Sequence, residues 1–113
     1  MISKLKAGLG LAILTLGWAL PAAAAMDVDN SEGRYNGHYK CTLTIKRPKV
    51  DPEEYQTSLE LDGKFVVIHT KEADVRTHYD TMVDYSYKTE IDAHDPKDSK
   101  VRYRIKIEGN IVP

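Results

Sequence analysis

Lys100-Val101-Arg102-Tyr103-Arg104-Ile105-Lys106-Ile107 alternates without a break. Every second residue is apolar and every other one is cationic. Side chains on a strand point to opposite faces in turn, so the segment has one greasy face and one charged face. A helix would not sort these residues so cleanly. The stretch therefore predicts a sheet with one face on a core and one in water.

The same period runs through much of the chain. His38 to Lys46 (HYKCTLTIK) places Tyr39, Cys41, Leu43 and Ile45 on one face, and Lys40, Thr42, Thr44 and Lys46 on the other. Tyr55–Leu61 and Lys64–Thr70 flank Asp62-Gly63, a strong hairpin signal. Two registers fit. A two-residue loop sets Leu59 opposite Val66. A three-residue loop with Gly63 in a bulge sets Leu59 opposite Phe65 and gathers Tyr55, Leu59, Phe65 and Val67. Burial of the only Phe favours the second, and one slip of register would exchange the faces.

Residues 71–81 fit a helical stripe (Val75, Tyr79, Met82, Val83) and a strand, and their β-branched and aromatic content tilts them to strand. In 82–91, Val83, Tyr85, Tyr87, Thr89 and Ile91 oppose Asp84, Ser86, Lys88, Glu90 and Asp92. Residues 93–99 read as a turn-rich loop around Asp95-Pro96. If the strands on either side of it pair, acidic and cationic outer faces meet, at about 0.2–1 kcal/mol per opposite-charge pair.

The whole predicts an all-β fold: a small antiparallel meander of five or six strands, closed as a barrel or a two-layer sandwich. Residues 37–113 form a single β domain. Polar residues 26–36 read as a flexible N-terminal lead.

Ahead of these lies a different composition. Lys4 and Lys6 precede an apolar run, Gly8–Leu16, then Pro21 and Ala23-x-Ala25. That order reads as a signal peptide, residues 1–25, cleaved after Ala25. The apolar run is too short to span a bilayer, so the product is expected to be soluble, not membrane-spanning, and periplasmic or secreted. It would keep 113 − 25 = 88 residues and carry 14 − 17 = −3 charges, since the leader holds two of the 16 Lys+Arg and none of the 17 Asp+Glu. Such mild acidity disfavours nucleic acid as a partner.

Cys41, the sole cysteine, excludes an intramolecular disulfide. Its inward face predicts a buried, inert thiol and a monomer; if exposed, it would allow a disulfide-linked homodimer.

Catalytic templates are absent: there is no G-x-S-x-G, no H-E-x-x-H, no P-loop and no dinucleotide fingerprint. The sequence predicts a protein that is not an enzyme and needs no cofactor. A metal-handling alternative, with copper or zinc, would use His78, His94 and Asp95. His38-x-x-Cys41 does not suit a shared metal, because the two side chains take opposite faces.

Seven tyrosines lie beyond the leader, and tyrosine is frequent at recognition surfaces. Tyr79, Tyr85, Tyr87 and Tyr103, with Arg102 and Arg104, are the candidate contacts for a ligand or partner. An exposed sheet edge used for strand addition is another. The cationic row Lys100, Arg102, Arg104 and Lys106 would suit an acidic partner, or stand as a solvated face balanced by Asp84, Glu90 and Asp92.

Gly33-x-Tyr35-x-Gly37, a strand, and later Leu59-x-Leu61-Asp62-Gly63-Lys64-Phe65 resemble lipocalin-like periplasmic meanders over less than half of the exported chain. The resemblance implies a β-meander and assigns no residue a role. The expected function is an exported, small, non-catalytic binding module recognising a protein or small ligand. The alternatives are a periplasmic metal-binding protein and a secreted inhibitor or effector-type interaction protein.

Overall fold

The computed structural model describes residues 25–109 and 111. Seven strands follow in order: β1 Met26–Asp27, β2 Gly37–Lys46, β3 Glu53–Asp62, β4 Phe65–His69, β5 Asp74–Asp84, β6 Lys88–His94 and β7 Arg102–Glu108. Each of β2 to β7 pairs antiparallel with the next, and β7 returns to pair with β2. The result is a closed six-stranded antiparallel barrel with β1 as an extra strand on the end of β5. Closure answers the barrel-or-sandwich alternative.

The alternating faces explain closure. Leu43, Ile45, Leu59, Leu61, Val66, Ile68, Ile91 and Ile105 point inward and are at most 1% exposed. Burial of each such side chain contributes about 1.5–3 kcal/mol. A barrel's diameter grows with strand number, and eight strands already give an interior that side chains just fill. Six strands make a narrower tube, which this apolar set occupies. Tyr103 and Ile107 are buried with Ile105, and Arg102 and Arg104 face out, as the alternation of 100–107 predicts. Lys100 lies in the loop before β7.

Three local readings are corrected. The β3–β4 hairpin adopts neither expected register: Leu61 faces Val66 and Leu59 faces Ile68, around a Gly63-Lys64 loop. Phe65 is only half-buried, and its ring lies outside against His78 and Arg76. Gly63 takes the φ of +61° that the turn requires, a conformation costly for other residues. Asn36 and Asn30 hold this turn from outside it. The Asn36 Oδ1 accepts from Gly63 N (2.8 Å), and Asn30 Nδ2 donates to Gly63 O (3.0 Å).

In β5, residues 75, 77 and 79 point in, but so do 82 and 84. Asp80 is an extra residue, with Tyr79 opposite Ala93 and Thr81 opposite Asp92. Such a bulge shifts the parity by one. It buries Asp84, 4% exposed, where the sequence suggested an outward carboxylate. Residues 82–91 are therefore not one strand. Tyr85 N bonds Lys88 O (2.8 Å), and the chain reverses through Ser86, at φ +68°, and Tyr87.

Third, the 26–36 segment, expected as a flexible lead, is packed against the barrel. Val28 joins the core and Asn30 is fully buried. Tyr79 Oη accepts from Asn30 N (3.0 Å), and Asn30 Oδ1 accepts from Tyr35 N (2.6 Å). The segment's polar side chains satisfy backbone groups, so a low apolar content did not mean disorder.

Candidate functional site

The wall formed by β2 and β7 carries the two features most suited to recognition. β2 pairs with β3 from Gly37 to Ile45, but with β7 only from Thr42 to Lys46. The β2–β7 ladder ends at the Thr42–Lys106 pair. Among the described residues Gly37–Cys41 thus have a ladder partner on β3 alone, leaving about 16 Å of strand edge. The end of β7 is drawn the other way, toward the β5–β6 hairpin: Gly109 N donates to Tyr87 O (2.9 Å). A cleft of about 560 Å³ occupies the parted seam, with Tyr39, Cys41 and Ile107 on its apolar side and Lys40, Gln56 and Glu108 on its polar side. Its volume falls in the range of ordinary ligand sites.

The other end of the same wall is cationic. Lys46 stands directly opposite Arg102, and both are exposed. Arg104 is one outward position further along. These three residues, Asp92 and Tyr103 surround a shallow depression of about 200 Å³. Arg104 Nε donates to Asp92 Oδ1 (2.9 Å), and Thr81 Oγ1 donates to Asp92 Oδ2 (3.3 Å). The Arg104–Asp92 hydrogen bond, then the charge of Asp92, raises the Arg104 pKa above its ordinary value.

The tyrosines do not converge. Tyr103 is buried, and its hydroxyl donates to Asp95 Oδ2 at 2.7 Å. Burial, then that bond, push its pKa far above the usual phenol value. Tyr79 is committed to Asn30, its hydroxyl accepting from the Asn30 amide. Tyr85 and Tyr87 sit at the β5–β6 turn, with Lys88 Nζ 5.2 Å and 5.6 Å from their ring centroids. Tyr87 is 69% exposed, and of the four its ring is the freest to meet a partner.

The metal-alternative residues are also apart in use. His78 lies against the Phe65 ring (4.1 Å between centroids), His94 Nδ1 meets Asp80 Oδ2 (2.9 Å), and Asp95 serves Tyr103 and the Lys97 amide. Among the described residues no three His, Cys, Asp or Glu side chains are grouped to hold a metal ion. Cys41 is 5% exposed, and burial pushes its thiol pKa up to about 11. Among the described residues no helix is long and apolar enough to cross a membrane.

Sequence reasoning named Arg102 and Arg104 as candidate contacts but not Lys46, which barrel closure sets directly opposite Arg102. It had no signal for the seam, because parting of two strands is decided by contacts distant in sequence. The fold and wall define a small antiparallel β-barrel with an open seam. No protein-family model, curated protein or solved structure matches the chain.

Proposed function

We propose that this chain is an exported, non-catalytic binding module that acts in the periplasm or outside the cell, and that it recognises a partner protein by adding one of its extended segments to β2. The observation that carries this reading is the Gly37–Cys41 edge, which among the described residues has no ladder partner on the β7 side of an otherwise closed barrel. Closing a barrel normally removes free edges, and a free edge offers main-chain donors and acceptors to an incoming strand. The cleft beside it has an apolar wall for side chains that alternate along such a strand. Export is supported by the order of charged, apolar and small residues in 1–25.

The test uses the full chain expressed with its own leader and recovered from the extracytoplasmic fraction. A phage-displayed random peptide library is selected on it, and amide hydrogen exchange is measured with each retained peptide. Protection at residues 37–41, in register with an extended peptide, is the expected result. Retained peptides that protect other segments and leave 37–41 unchanged would overturn the reading.

A further inference from the structure

The cationic end of the wall supports a second, separate site. Lys46 and Arg102 are direct cross-strand neighbours of like charge. Like charges so placed destabilise a sheet unless something lies between them. Arg47, Arg76 and Arg104 each have a carboxylate within 3.4 Å, whereas neither Lys46 nor Arg102 has one within ion-pair distance among the described residues. Arg104 is paired differently from Arg47 and Arg76. Asp92 takes its Nε and is itself held by Thr81, and among the described residues the two terminal nitrogens of the guanidinium have no hydrogen-bond partner. Asp92 therefore pairs with Arg104 through Nε and leaves its terminal nitrogens facing away from that bond.

We infer that Lys46, Arg102 and Arg104 form a binding site for a dianionic phosphoryl group. The charge around the depression is 3 − 1 = +2, from these three cations and Asp92. A phosphoryl group at neutral pH carries about −1.5 to −2 charges and three acceptor oxygens. Lys46 Nζ supplies a point charge, and the two guanidinium groups supply planar forks suited to phosphoryl oxygens. A single carboxylate brings one negative charge and two acceptor oxygens, too few to match all three cations. The depression, about 200 Å³ and open to solvent, has room for the phosphoryl group and the first atoms of whatever bears it. The seam lies at the other end of the β2–β7 ladder, so the two sites stand or fall independently.

Nuclear magnetic resonance of the Arg102 and Arg104 Nε–H groups tests the site in the exported protein. Inorganic phosphate, glycerol 3-phosphate and acetate are titrated at matched ionic strength. Both phosphates are expected to shift the two resonances saturably, and acetate is not. Tighter binding of glycerol 3-phosphate would mark the phosphoryl of a larger ligand as the target; equal or weaker binding would mark free phosphate. R102Q is expected to weaken phosphate binding about tenfold or more, the usual effect of losing a charge-assisted bond. K46Q is expected to lose the phosphate-dependent rise in melting temperature while melting at least as high as the parent without phosphate, because it removes the like-charge contact. Unsaturable shifts common to all three anions, or a response retained in both variants, would overturn the inference.

Discussion

Replacing Asn30 by Ala examines whether the polar segment before β2 is part of the fold. The Asn30 side chain is fully buried and makes three hydrogen bonds. It donates to Gly63 O (3.0 Å) and Asn36 Oδ1 (3.1 Å), and accepts from Tyr35 N (2.6 Å). Each bond contributes about 1 kcal/mol net, and an orphaned buried group costs about 1–3 kcal/mol. Gly63 and Tyr35 are only half-buried, so water relieves part of the loss. The expected destabilisation is about 2–3 kcal/mol, a large share of the 5–15 kcal/mol typical of a domain. With a urea slope of about 1 kcal/mol/M, the midpoint falls by about 2–3 M. Far-ultraviolet dichroism follows the barrel itself. Asn30→Asp keeps the Tyr35 bond but sets lone pairs against the Gly63 carbonyl, and is expected to cost at least as much. A barrel midpoint lowered by less than about 0.5 kcal/mol equivalent, as at a typical surface site, would refute the reasoning.

Three further outcomes are expected. Cys41, with its pKa pushed up to about 11 by burial, stays protonated at neutral pH; a thiol reagent at pH 8 should label it only after urea unfolds the chain, and non-reducing electrophoresis should show monomer. For Asp95, burial raises the pKa, but the bonds from Tyr103 and the Lys97 and Asp98 amides outweigh it and leave the pKa below 3.8. A depressed carboxylate stabilises above its unfolded pKa, so Tyr103→Phe should cost about 1–2 kcal/mol at pH 7, and the gap to the parent should shrink as pH falls below 3.8, in urea titrations at each pH. Gly63→Ala meets only an ordinary contact with Ser31 O at 3.8 Å, so it should cost the φ penalty alone, about 1–2 kcal/mol by the same assay.

Two-residue alternation made the strands legible because a filled interior penalises every misplaced side chain alike. Leu43, Ile45, Ile91 and Ile105 could be assigned inward without knowing their partners. The failures share a different cause. Asp62-Gly63 suggested the loop, yet Asp62 stays in the ladder with its carboxylate 3.0 Å from Arg76, and the loop moves to Gly63-Lys64. Asn30 and Asn36 grip that turn from about 30 positions away, which no local reading contains. Asp80 adds one residue to β5 and reverses the faces beyond it, and a single inserted polar residue looks like any other in sequence.

The β2–β7 wall follows the same division. Its charges were readable strand by strand, since Arg102 and Arg104 alternate with buried residues. Its shape was not, because it depends on where β7 meets β2. The Gly109–Tyr87 hydrogen bond draws the end of β7 toward the β5–β6 turn, while the Asn36–Gly63 bond ties the approach to β2 to the β3–β4 turn. The two strands are thus held by different neighbours, and the seam between them opens at that end. At the other end the ladder is complete, and completing it forces Lys46 against Arg102. The one pairing between β2 and β7 therefore leaves, among the described residues, an edge without a ladder partner beyond Thr42 and sets two cations side by side at Lys46 and Arg102.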